Sequence, residues 1–134
     1  MSGSDGSTQA EQAAQVAAHA YIEAFNRGDI AAMADAFNFP HIRLAGGQFA
    51  TFATREAFLE RREGLKRSLD AEGWDHTVVR SIDVVHARAD KVHMSLLVDR
   101  CRADGTVYNQ FQTLWIATCQ DGHWGIQFRS SYLT

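Results

Sequence analysis

Side chains able to do chemistry stand out in this sequence where apolar residues surround them. His41 follows Pro40 at the head of a β-rich stretch, and an imidazole that titrates near neutrality suits a general base. No acidic residue neighbours it in sequence to fix its tautomer. Arg43, two residues on, shares its face in a strand and would suit an anionic ligand. Tyr21 lies on the apolar stripe of a helical segment, where its hydroxyl could hydrogen-bond a ligand carbonyl. The alternative is a core tyrosine with a backbone or water partner. In the second half, Asp83, Arg100, Asn109, Thr113, Ser130 and Tyr132 occupy strand positions otherwise filled by Val, Leu, Met and Trp. Asp83 is the acid of that set, so His41 and Asp83 are the candidates for proton transfer. A buried Arg100 must meet an acid or await an anionic ligand. Tyr21, His41, Arg43, Arg100, Asn109, Thr113 and Ser130 are the expected ligand contacts.

Other chemistries find little support. Six histidines occur, but none as HxH or HExxH, and His86 with His93 across a hairpin would lack a third ligand, because Asp99 is too far along the strand. No metal and no cofactor are expected. No nucleophile elbow is present, and Gly46-Gly47 lies in a strand turn rather than before a helix, so it is no phosphate loop. A net charge of -3 gives no footprint for nucleic acid or an anionic membrane. No apolar run approaches a membrane span. The start, MSGSDGSTQAEQ, lacks the basic and apolar regions of a secretory signal. Cys101 and Cys119 fall out of register in the hairpins and read as reduced thiols of a cytoplasmic protein.

These residues need elements to position them. The chain, 134 residues with 46% hydrophobic and 22% charged, has the size and composition of one globular domain. Residues 1–12 read as a flexible lead-in and 13–134 as a single α+β domain. Ala13, Ala17, Ala20, Tyr21, Ala24 and Phe25 recur at helical spacing, and Gly28 ends that helix. Asp29 caps a short second helix. Strands are expected at 39–44 and 48–52. Thr54 caps a third helix, whose stripe is Phe58, Leu65 and Leu69 with Arg62 at the same spacing; Gly73 stops it. Four long strands follow, separated by Ala89-Asp90, Asp104-Gly105 and Asp121-Gly122, which predicts an antiparallel meander.

Two-residue loops fix register, and register fixes faces. The helix-facing set is then Val92, Met94, Leu96, Val98, Phe111, Trp115, Trp124, Ile126 and Phe128, with Asp83, Thr113 and Ser130 in one row and Arg100 opposite Asn109. The opposite set is Arg80, His86, His93, Asp99, Gln110, Gln112, Arg129 and Ser131. A β-bulge would exchange the sets beyond it.

The segments AYIEAFNRGDIAAMADAF at 20–37 and DGHWGIQFRSSY at 121–132, with this order of elements, resemble the NTF2-like superfamily. That group includes ketosteroid isomerase, scytalone dehydratase, limonene epoxide hydrolase and the SnoaL-like polyketide cyclases. The resemblance implies a cone-shaped curved antiparallel sheet around three N-terminal helices, a pocket between sheet and helices, and usually a homodimer. It puts Tyr21 at the tyrosine of the isomerase oxyanion hole. The isomerase base would fall in Arg43-Leu44-Ala45-Gly46 and its second Asp in Phe111-Gln112-Thr113, where no carboxylate stands. The epoxide hydrolases' carboxylate–arginine–carboxylate arrangement is not recognisable.

The expected function is therefore the binding of a small organic ligand between sheet and helices. The alternative is a small acid–base enzyme of dehydratase, isomerase or cyclase type. The expected partners are that ligand and a second copy of the chain, docked through the mixed-polar sheet face that also carries Leu97, Leu114 and Ile116.

Overall fold

A computed structural model describes residues 6–133. Four helices and six strands follow in the order α1 (Ser7–Arg27), α2 (Ile30–Asp35), β1 (Phe37–Ala45), β2 (Gln48–Phe52), α3 (Arg55–Leu59), α4 (Arg62–Glu72), β3 (His76–Arg88), β4 (Lys91–Cys101), β5 (Val107–Gln120) and β6 (His123–Ser131). The strands form one curved sheet, ordered β2-β1-β6-β5-β4-β3, that does not close into a barrel. The helices cover its concave face. The expected α+β architecture is present.

Local signals explain most of the element ends. The Asp29 side chain accepts a hydrogen bond from the Ala32 N–H and the Thr54 hydroxyl from the Ala57 N–H, so both caps act as their residue types suggest. At the last hairpin Asp121 and Gly122 both have positive φ, 51° and 81°, the combination a tight two-residue turn demands.

Four features depart from the sequence reading. α1 begins at Ser7, so residues 7–12 of the expected lead-in are helical; residues 1–5 lie outside the described residues. Ala20 is exposed, and the buried face of α1 runs instead through Ala10, Ala14, Ala17, Ala18, Tyr21 and Ile22. The expected third helix is two, α3 and α4, divided at Glu60-Arg61; Arg62 is exposed, and Arg61 instead turns inward over the Phe52 ring. Finally, β1 pairs with β6 in parallel, so the sheet is mixed rather than wholly antiparallel.

The parallel seam is held by side chains as well as by the ladder. Asn38, buried in β1, donates through Nδ2 to the Thr118 and His123 carbonyls at 2.8 and 3.1 Å. Behind it, Phe37 stacks on His41 with centroids 3.7 Å apart and on Tyr21 at 4.9 Å, which joins helix and sheet in one aromatic cluster.

Bulges decide the faces. Ala117 pairs with Ile126 but Ile116 pairs with Phe128, so Gln127 is an extra residue in β6. Beyond it every side chain changes side. Phe128 lies opposite Ile116 on the outer face, whereas Arg129 lies opposite Trp115 and Ser131 opposite Thr113, inside. The expected faces of Phe128, Arg129, Ser130 and Ser131 are thus reversed. In β3 the register shifts between Val79 and Ser81 and between Val84 and His86. The second shift pairs Asp83 with Ser95 on the outer face, where Asp83 is exposed.

Candidate functional site

Between the helices and the inner sheet face lies a cavity of about 590 Å³, within the size range of small-molecule sites. Tyr21 and Phe25 of α1, Phe52 of β2, Phe58 of α3, and Phe111 and Trp115 of β5 give it aromatic walls. Arg43, Arg61, Arg100, Arg129, Glu72 and Asn109 also line it.

Arg129 is the centre of the polar wall. Its Nε donates to His41 Nε2 at 3.0 Å and its Nη1 to the Tyr21 hydroxyl oxygen at 2.8 Å. The guanidinium lies over the Tyr21 and Phe37 rings, 5.0 and 5.1 Å from their centroids, a cation–π arrangement. Neither acceptor is a carboxylate. They orient the charge without cancelling it.

His41 is fully buried, at 0% exposure, and both ring nitrogens are used. Nδ1 lies 2.9 Å from the Ile126 carbonyl and must carry the proton, because Nε2 accepts from Arg129. Burial, then the Arg129 charge, push its pKa down to about 2. A ring held neutral and tied at both ends is a positioning group for Arg129 and not a free base. The cavity wall passes in front of it.

The other expected contacts divide. Tyr21, Arg43, Arg100 and Asn109 are brought together on the cavity wall. Arg43 pairs in register with Arg129 on the neighbouring strand, and burial, followed by the Arg129 charge, lowers its pKa to about 10. Arg100 opposes Asn109, as the hairpin count predicts. Its Nη1 lies 3.0 Å from both Glu72 carboxylate oxygens. Glu72 also accepts from the Tyr108 hydroxyl at 2.6 Å, and burial together with that bond pushes the Tyr108 pKa up to about 12. The acid that meets Arg100 is therefore Glu72 of α4 rather than Asp83.

Three expected site residues are elsewhere. Asp83 and Ser130 are on the outer face, because the bulges in β3 and β6 move them there. Thr113 is inside but buried behind the wall, accepting from Trp115 Nε1 at 3.0 Å and lying 2.7 Å from the Ser131 hydroxyl. Its work is to hold the Trp115 indole. Among the described residues, no cluster of three or more His, Cys, Asp or Glu side chains could hold a metal. His86 and His93 do meet, their rings 5.4 Å apart on the outer face.

Sequence reasoning missed Arg129, Arg61 and Glu72. The Glu72–Arg100 pair joins a helix end to a strand, and no spacing rule connects them. Arg129 reaches the cavity through the bulge at Gln127, which the alternating β6 sequence does not mark.

One family model, described as NTF2-like protein (DUF6841), matches residues 10–131. Among solved structures, the chain is similar to an NTF2-like protein with a cystatin-like fold from Novosphingobium aromaticivorans. The TM-score is 0.71 at 18% identity, covering 92% of this chain and 80% of that one. It is similar to a ketosteroid isomerase-like protein from Erwinia carotovora atroseptica, with TM-score 0.67, 21% identity and coverage of 90% and 93%. A Catenulispora acidiphila protein in complex with S-DNPA gives 0.68 at 17% identity, covering 93% of each chain. At these identities the likeness shows the fold alone. No curated protein matches the sequence.

Proposed function

The chain belongs to the NTF2-like protein family DUF6841, and on that premise we propose that it binds a small organic molecule in the cavity between sheet and helices and holds it without acid–base chemistry. One observation carries this reading. The wall has donors in plenty, but its single carboxylate, Glu72, is engaged by Arg100 and Tyr108, and the nearby imidazole, His41, is locked neutral. A similar fold in complex with S-DNPA is consistent with a small-molecule site. Incubation with mixed small organic compounds, followed by native mass spectrometry, should give a retained ligand recovered chemically unchanged. Ala45→Trp, at the cavity wall, should abolish retention with little change in melting temperature. Retention unaffected by that substitution would put the ligand elsewhere.

A specific contact favours the second reading, a dehydratase, isomerase or cyclase. Glu72 and Tyr108, 2.6 Å apart at the wall, could pass a proton. Turnover that disappears in Glu72→Gln would replace binding with catalysis.

We further propose a homodimer built on the outer sheet face. Leu97, Leu114, Ile116 and Phe128 stand there half-exposed, beside Asp99, which is 1% exposed and paired with Arg80 and Gln110. Stable dimers of this type bury upward of about 2,000 Å². Sedimentation should show a dimer at micromolar concentration, reduced to monomer by Leu114→Glu. A wild-type monomer at that concentration would remove the idea. The unbridged thiols Cys101 and Cys119 agree with a cytoplasmic location. Among the described residues no helix is long and apolar enough to cross a membrane.

A further inference from the structure

We infer that the cavity takes an organic carboxylate with a planar apolar body, its carboxylate set between the guanidiniums of Arg43 and Arg129 and the hydroxyl of Tyr21. This deepens the ligand-pocket reading above and rests on it.

The first support is charge. Four arginines line the cavity against one acid, and that acid is taken by Arg100 and Tyr108. Arg43, Arg61 and Arg129 have no carboxylate partner among the described residues. Arg43 and Arg129 are register neighbours on β1 and β6, so two like charges share one desolvated wall. Such a pair costs energy until an anion meets it. The pKa of Arg43 is lowered first by burial and second by the Arg129 charge, in keeping with a desolvated pair of like charges.

The second support is donor geometry. Arg129 spends Nε on His41 and Nη1 on Tyr21, which leaves Nη2 without a partner. The Arg43 side chain has no hydrogen bond among the described residues. The Tyr21 oxygen accepts from Arg129, so its own proton is free to be donated to a ligand oxygen. Planar guanidinium forks match a carboxylate. Phosphate recognition more often uses backbone N–H groups at a glycine-rich loop before a helix, and this wall has none.

The third support is the remainder of the wall. Phe25, Phe52, Phe58, Phe111 and Trp115 offer faces and edges to a flat apolar body. A bare inorganic anion would leave them unused.

The test is calorimetric titration of the full chain with 2-naphthoate, with its neutral isostere 2-naphthamide, and with inorganic phosphate. Naphthoate should bind at least about 10-fold more tightly than the amide, and in Arg43→Gln that preference should shrink to within about 3-fold. The Arg43 side chain makes no hydrogen bond or ion pair that the fold depends on, and its removal relieves the repulsion from Arg129, so the empty variant should melt at or above the wild type. Equal binding of naphthoate and amide overturns the anion inference and leaves the pocket standing. Phosphate binding as tightly as naphthoate overturns the apolar body. Unchanged naphthoate affinity in Arg43→Gln overturns the assignment of Arg43. Absence of binding by both naphthalene probes at millimolar concentration overturns this inference together with the pocket reading.

Discussion

Replacing Gly125 with alanine is expected to prevent stable folding, or to lower the melting temperature by roughly 10 °C or more. A Cβ at this position would lie 2.5 Å from the Phe37 carbonyl carbon, 2.7 Å from the Asn38 nitrogen and 2.8 Å from the Phe37 oxygen. All three are backbone atoms, so no rotamer change relieves the overlap. They belong to the seam where β6 meets β1, which the Ile126 N–H to Ala36 carbonyl bond closes at 2.8 Å. The methyl can be accommodated only by moving the strands apart, which breaks the parallel ladder and opens the wall carrying His41. Overpacking of a tight site costs about 1–3 kcal/mol, and more where backbone must shift. Gly64→Ala is the control, because a Cβ there meets nothing within 4 Å, and an interior helical alanine is favoured over glycine. A Gly125→Ala protein that melts with the wild type would show that the two strands are not in this contact.

The second large effect is expected at His41. His41→Ala removes a fully buried ring stacked on Phe37 and leaves Arg129 Nε without its acceptor. The expected loss is about 3–5 kcal/mol, from the cavity and the orphaned donor together. A pH experiment separates the ring's ionisation from its bulk. The folded pKa is pushed from the ordinary 6.5 down to about 2, by burial first and then by Arg129. Below pH 6.5 the unfolded chain therefore takes up a proton that the folded chain refuses. Stability from this residue is fully present above that pH and falls with acidification, by about 1.4 kcal/mol per pH unit. His41→Asn, which cannot titrate, should be less stable at pH 7.5 yet show a shallower decline between pH 6.5 and 5. Parallel declines for the two proteins would mean that His41 is not held neutral.

How much of this was legible beforehand follows from what each signal can encode. The caps at Asp29 and Thr54, the Asp121-Gly122 turn and the long alternating runs act over a few residues, and the chain carries them explicitly. They determined an α+β fold with a four-strand meander. The pairing of Arg100 with Asn109 also comes out as the hairpin count gives it, but only because two departures cancel: Arg102 pairs with Thr106 and Cys101 with Val107, so the loop is one residue longer than two, and the extra residue Tyr108 restores the count before Arg100. Tyr21 faces the cavity for a local reason, the helical stripe it shares with Ala17 and Phe25.

The rest was decided by partners far away in sequence. Gln127 becomes an extra residue where β6 must serve β5 on one side and the irregular β1 on the other, its Nε2 donating to the Pro40 carbonyl at 3.1 Å. A strand has period two, so that one residue reverses every side chain after it. Arg129 thereby moves from the expected outer face to the centre of the cavity, and Ser130 leaves it. Another extra residue, in β3, sends Asp83 outward. Alternating sequence contains no mark of such an insertion, because polar and apolar residues stay plausible on both sides of it. His41 shows the complementary limit. Its residue type allows a base, but only the Ile126 carbonyl and Arg129, each more than 80 residues away along the chain, make it a neutral strut.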